Sequence, residues 1–238
     1  MSIRRTAALG VATVAAAAAV LAGQPAFAAG STDVLSWGAL NTAGTNVLTT
    51  DTLSGSLASG TTSTFKFTSS GVTVTITCTA AASTAKTTSN PTSPGTAAMS
   101  ISKLTFSDGT TQCTLTGLSG VTVSSITLST AAVGNITSSP KDLNLTSLNE
   151  KVVLKSGLGS ITCDYGTTST VTKIVGVLTN PTNSTGTNGT IAFSNQTVGL
   201  ISGTSVCGAS GSTGTFNATL GSFTDSVATG TDKAVYDN

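Results

Sequence analysis

Four cysteines, a single glutamate and the complete lack of histidine bound the chemistry open to this 238-residue chain. Cys78, Cys113, Cys163 and Cys207 lie far apart in sequence. No pair therefore has the short C-x₂₋₄-C spacing of a zinc site, and no imidazole exists to complete one. The same absence excludes a Ser-His-Asp triad, a Cys-His pair and an imidazole general base. Arginine is confined to Arg4 and Arg5, which removes planar, bidentate grips on phosphate from the rest of the chain. Glycoside hydrolysis needs only two carboxyl groups. Glu150, however, is the sole glutamate, and Asp108, Asp142, Asp164 and Asp225 fall at turns or strand ends, where they read as turn formers and solvated charges. No D-x-D-x-D-G loop marks a calcium site, and Gly208–Gly214 lacks the spacing of a nucleotide loop. We therefore expect no metal, no cofactor and no catalytic residue, with a carboxylate-only glycan hydrolase as the least favoured function.

Aromatic side chains are the remaining candidates for ligand contact. Trp37 is the only tryptophan, and Tyr165 and Tyr236 are the only tyrosines. A carbohydrate-binding face would use these rings; Trp37 also reads as a cover for the core or its edge. Phe65, Phe67, Phe106, Phe193, Phe216 and Phe223 lie mainly on strands and read as core.

The first 28 residues have the order of a signal peptide: Arg4 and Arg5, an apolar run from Ala7 to Ala22, then Gly23-Gln24-Pro25 before Ala26-Phe27-Ala28. The run is shorter than the roughly 20 residues of a membrane-spanning helix, so removal after Ala28 is expected, by the general secretory route rather than the twin-arginine one. The mature chain, 29–238, then carries eight lysines against nine acidic groups, a formal charge of −1. Such a balance offers no basic patch to nucleic acid. No later stretch is long and apolar enough to span a membrane.

In an exported chain an even cysteine count predicts two disulfides. An internal echo suggests their pairing. Ile76-Thr77-Cys78 recurs as Ile161-Thr162-Cys163, Asn90-Pro91-Thr92 as Asn180-Pro181-Thr182, and Leu104-Thr105-Phe106-Ser107-Asp108 as Ile191-Ala192-Phe193-Ser194-Asn195. Each series ends in a cysteine, Cys113 or Cys207. Duplication of a two-cysteine unit accounts for this order and predicts Cys78–Cys113 and Cys163–Cys207, with related halves at about 46–140 and 150–238 and a junction within Asn135–Glu150.

These cysteines sit on alternating segments. Val72, Val74, Ile76, Cys78 and Ala80 share one parity, and Thr73, Thr75, Thr77 and Thr79 the other, which is a strand with one buried and one wet face. The same pattern marks Thr64–Thr68, Ile101–Phe106, Gln112–Thr116, Val121–Leu128, Lys151–Leu154, Leu158–Tyr165, Val171–Leu178, Thr190–Leu200 and Thr213–Leu220, and more weakly Leu53–Ser56 and Lys233–Tyr236. Turn clusters such as Ser69-Ser70-Gly71 separate them, and Ala85–Ala97 and Asn180–Gly189 read as long loops. The expected fold is all-β, an antiparallel β-sandwich or jelly-roll-like domain.

The Ala-rich leader, the I-T-C strands and the stretch from Cys207 to Phe216, C-x-x-S-G-x-x-G-x-F, resemble a loose group of uncharacterised four-cysteine exported proteins of actinobacteria. The resemblance implies secretion and a β fold, and no activity. The leading expectation is a non-catalytic secreted or cell-envelope-associated protein, structural or adhesive. The alternative is a module binding carbohydrate or cell-wall polymer through Trp37, Tyr165 or Tyr236.

Overall fold

The computed structural model describes residues 33–40, 43–107, 113–182, 188–228 and 233–238. The expected signal peptide, Asp108, Gln112 and residues 183–187 of the second long loop lie outside the described residues. The described residues form seventeen strands: β1 Leu35–Trp37, β2 Thr45–Asn46, β3 Thr52–Leu57, β4 Ser63–Ser69, β5 Val72–Cys78, β6 Ala80–Ser89, β7 Thr96–Ser107, β8 Thr114–Thr116, β9 Val121–Leu128, β10 Ala132–Ser138, β11 Lys141–Thr146, β12 Asn149–Ser156, β13 Gly159–Gly166, β14 Ile174–Thr179, β15 Thr190–Gly203, β16 Thr213–Asp225 and β17 Val235–Asp237. Among the described residues no helix is long and apolar enough to cross a membrane.

Alternation decides which way each strand faces. On β5, Val74, Ile76 and Cys78 are buried while Thr73 is exposed. The β4–β5 hairpin turns through Ser70 and Gly71 alone, with φ of 47° and 83°, a geometry matched to the twist of two-residue hairpins. That register sets Phe65 opposite Ile76 and Phe67 opposite Val74.

All strand pairings are antiparallel, and the long strands β7, β15 and β16 each serve two neighbours on one side. Along β7 these are β10 and then β9; along β15, β14 and then β13; along β16, β4 and then β3. This sharing makes the corners of an antiparallel sandwich, as where strands pass from one sheet to the other. Toward one end the sheet closes on itself: hydrogen-bonded neighbours lead from β7 through β10, β11, β14, β15, β16, β3 and β6 back to β7. A circuit of eight strands encloses an interior wide enough for side chains or one small ligand.

Part of the pairing pattern occurs twice. The contacts β3–β6, β6–β7 and β4–β5 match β11–β14, β14–β15 and β12–β13, and β7 with β9 and β10 matches β15 with β16. The halves interlock, since β9 pairs with β12 and β10 with β11 just as β16 pairs with β4 and β3. The segment Asn135–Glu150, read from sequence as a junction, holds the end of β10, all of β11 and the start of β12.

Both disulfides pair as the sequence predicts. Cys78–Cys113 ties the edge strand β8 to β5, with Cα atoms 4.5 Å apart, and Cys163–Cys207 ties β13 to the turn after β15, at 5.5 Å. The reading of Ala85–Ala97 as a loop is corrected: β6 runs to Ser89 and β7 starts at Thr96. Its inward residues, Ala81, Ser83, Ala85 and Thr87, are small or polar and give little hydropathy contrast.

The two Asn-Pro repeats close one end of the sandwich. There β1, β2 and β17 form a small sheet in which Leu35 pairs with Asp237. Asn90 follows β6 and accepts from the Leu35 N–H at 2.8 Å while donating to the carbonyls of Leu35 and Val47 at 2.8 and 2.9 Å. Asn180 follows β14 and does the same for β17, donating to the Asp237 carbonyl at 2.6 Å and accepting its N–H at 2.8 Å. Each amide thus stands in for a missing strand neighbour. Replacing either by alanine orphans backbone groups and is expected to cost about 2 to 3 kcal/mol in urea unfolding, where a surface Asn→Ala change costs little.

Candidate functional site

Between the sheets the packed side chains leave an apolar cavity of about 130 Å³. Its walls come from strands along the whole chain, including Met99, Ile101 and Phe106 on β7, Leu143 and Leu145 on β11, and Ile191 and Phe193 on β15. Leu35, Val235 and Tyr236 of the small terminal sheet close one side, and the lining reaches the surface at the exposed Thr179 and the half-buried Asn180, Thr190 and Phe223. Aromatic rings form part of the wall: Phe65 meets Tyr165 edge-on at 4.6 Å, and Phe216 meets Phe106 and Phe193, both at 5.8 Å between centroids. Glycines make room for them. A Cβ at Gly214 would stand 2.5 Å from the Phe65 ring, and one at Gly55 would stand 2.7 Å from Phe223.

One carboxylic acid faces this space without a partner. On β12, Glu150 shares its parity with Val152 and Leu154, both buried, so alternation carries it inward while Lys151 and Lys155 point out to solvent. Its stem is half-buried. Both carboxyl oxygens are sealed from solvent, and among the described residues neither has a hydrogen-bond partner. The ladder sets Leu128 of β9 on one side and Tyr165 of β13 on the other. Burial pushes the Glu150 pKa up to about 8, because an apolar surround disfavours the ionised form.

The other buried acids have protein partners. Asp51 accepts from the Leu48 N–H at 2.7 Å and Asp225 from the Val227 N–H at 2.9 Å; neither lines the cavity. Burial raises Asp225 to about 6, the Val227 N–H opposes this, and the neighbouring Asp51 carboxyl adds to it. Asp237 lines the cavity at its terminal-sheet side, 3.6 Å from the Lys141 ammonium. Burial raises it to about 6 against the pull of that cation.

No protein-family model, curated protein or solved structure matches this chain.

The aromatic candidates from the sequence are not brought together on an open face. Tyr165 is buried on β13 with its ring against Phe65 and Phe67 and its hydroxyl donating to the Cys207 carbonyl. Desolvation keeps that phenol protonated. Tyr236 is buried on β17 and lines the cavity. Trp37 is half-buried on β1 and packs against the core. Two of the three rings therefore face inward, toward the same interior as Glu150. Asp142 and Asp164 are half-buried, Asp164 accepting from the Ser202 hydroxyl at 2.6 Å, and neither lines the cavity. From sequence alone Glu150 stands out only as the sole glutamate, at the end of a junction, although its parity with Val152 and Leu154 carries the signal.

Proposed function

We propose that this chain is a secreted, non-catalytic binding protein that holds one small apolar molecule inside its sandwich. The observation that carries the reading is the apolar cavity whose wall includes an unpartnered carboxyl group. Apolar pockets with a few convergent polar groups are the usual form of small-molecule sites. The two disulfides fit an oxidising, extracellular setting. A structural or adhesive role at the cell envelope, or retention by wall polysaccharide, would instead use the Thr-coated exterior, seen in the exposed Thr68 and Thr73 of β4 and β5.

Thermal unfolding with a panel of one-ring aromatic and short aliphatic compounds tests the proposal. A ligand that binds only the folded state stabilises it by about 2.7 kcal/mol at a hundredfold excess over Kd, so the midpoint should climb with ligand concentration. Filling the cavity with Ala85→Leu should abolish that climb, since Ala85 is a buried lining residue. A panel that leaves the wild-type midpoint fixed, together with retention on insoluble polysaccharide that is lost on Trp37→Ala, would move the functional surface to the outside.

A further inference from the structure

We infer that the cavity is built for a primary amine with a ring-sized apolar body, its ammonium seated on the Glu150 carboxylate. The inference rests on the cavity-binding reading above and assigns its ligand class. Among the described residues that line the cavity, Glu150 is the carboxyl group with neither a hydrogen bond nor an ion pair; the oxygens of Asp237 also lack hydrogen bonds, but the Lys141 ammonium stands 3.6 Å away. Its neighbour on β9 is the apolar Leu128, and Tyr165 on β13 commits its hydroxyl to the Cys207 carbonyl. Asp51 and Asp225, by contrast, have backbone N–H groups, and Asp237 has Lys141. A buried acid left without partners is costly, and folding alone would be served at least as well by an aliphatic side chain there. The missing donor is therefore supplied from outside.

Charge and donor count select the class. An anion would find no cation to compensate it, since the one described lysine contact, Lys141, is already matched to Asp237. A single hydroxyl satisfies one oxygen and leaves the other bare. An ammonium carries three donors and the compensating charge, and its hydrogen bonds to a carboxylate are the strong, charge-assisted kind. Aromatic walls such as Phe65 and Tyr165 add to the attraction for a cation, and apolar cavities of about this size accept a body the size of benzene. On binding at neutral pH the Glu150 carboxyl gives its proton to solvent and the amine keeps its own, so one carboxylate–ammonium pair forms and close to one proton is released.

Isothermal titration of the mature protein with 2-phenylethylamine, ethylbenzene and 3-phenylpropionate, in buffers of differing ionisation enthalpy, tests this. The amine should bind at least about tenfold tighter than ethylbenzene and release nearly one proton, and 3-phenylpropionate should bind no better than ethylbenzene. Glu150→Gln should erase the preference for the amine and the proton release while ethylbenzene still binds. If that variant does not fold, the carboxyl ¹³C signal of the sole glutamate should move to its ionised position as amine saturates the wild type. Equal affinity for amine and ethylbenzene, or a preference that survives Glu150→Gln, would overturn the amine assignment and leave the cavity reading standing. Failure of all three compounds to bind would remove both.

Discussion

Raising the pH from about 5 to about 9 is expected to weaken the wild-type fold by on the order of 3 to 5 kcal/mol, and Glu150→Leu is expected to remove most of that loss. The sign follows from proton counting. An acid whose folded pKa lies above its unfolded value binds more protons in the native state, so its contribution is fully present below the unfolded pKa and falls as pH rises through the folded one. For Glu150 that window runs from 4.5 to about 8. Asp225 and Asp237, each raised to about 6 from 3.8, act in the same direction over a lower window. Their shifts are smaller because the Val227 N–H and the Lys141 ammonium favour their charged forms, so they add less than Glu150 does. Urea unfolding of wild type and variant at a series of pH values checks the prediction. A wild-type stability that rises steadily with pH would mean that the carboxyl group reaches water.

Serine in place of both Cys163 and Cys207 is expected to cost about 4 kcal/mol of unfolding free energy in the chain-entropy account, and the same change at Cys78 and Cys113 about as much. The closed loops have similar lengths, with sequence separations of 44 and 35. Their local consequences differ. Cys207 also accepts the Tyr165 hydroxyl through its carbonyl, and Gly203 has so little room that a Cβ there would stand 2.6 Å from the Cys207 sulfur. Opening this bridge should therefore loosen the wall beside Glu150 and weaken ligand-induced stabilisation. Opening Cys78–Cys113 should loosen the edge strand β8. Denaturant curves with and without an aromatic ligand separate the two effects.

Much of the fold was legible because β-branched residues alternate with threonine so regularly. Val72–Cys78 declares itself by period two alone, and the I-T-C echo gave the disulfide partners, whereas Val121–Leu128 changes parity between the buried Val123 and Ile126, where its register with β12 shifts. Three strands were harder to read. β6 sets alanine, serine and threonine on both faces and β10 has an exposed Val133 beside a buried Gly134, so inside and outside differ little in hydropathy, while β11 alternates correctly but has only Leu143 and Leu145 as inward aliphatics. The Asn-Pro repeat was visible as a motif, but its work was not. Only the antiparallel pairing of Leu35 with Asp237 brings Asn90 and Asn180 to matching tasks.

The interior site was less legible than the fold. Its aliphatic and aromatic walls have the same residue types and spacing as an ordinary core, so a cavity leaves no mark on periodicity. Tyr165 could have been placed inside from its parity with Cys163, and Glu150 from its parity with Leu154. In each case the strand's alternation places the side chain inward although its tip is polar.

Since Glu150 is the chain's sole glutamate, labelling that residue type with carboxyl ¹³C yields one assignable signal. Following it by NMR across pH is the most direct probe of the site. A midpoint near 8 places the group in an apolar, unpartnered interior; a midpoint near 4.5 would place it in water and contradict the binding site proposed for it.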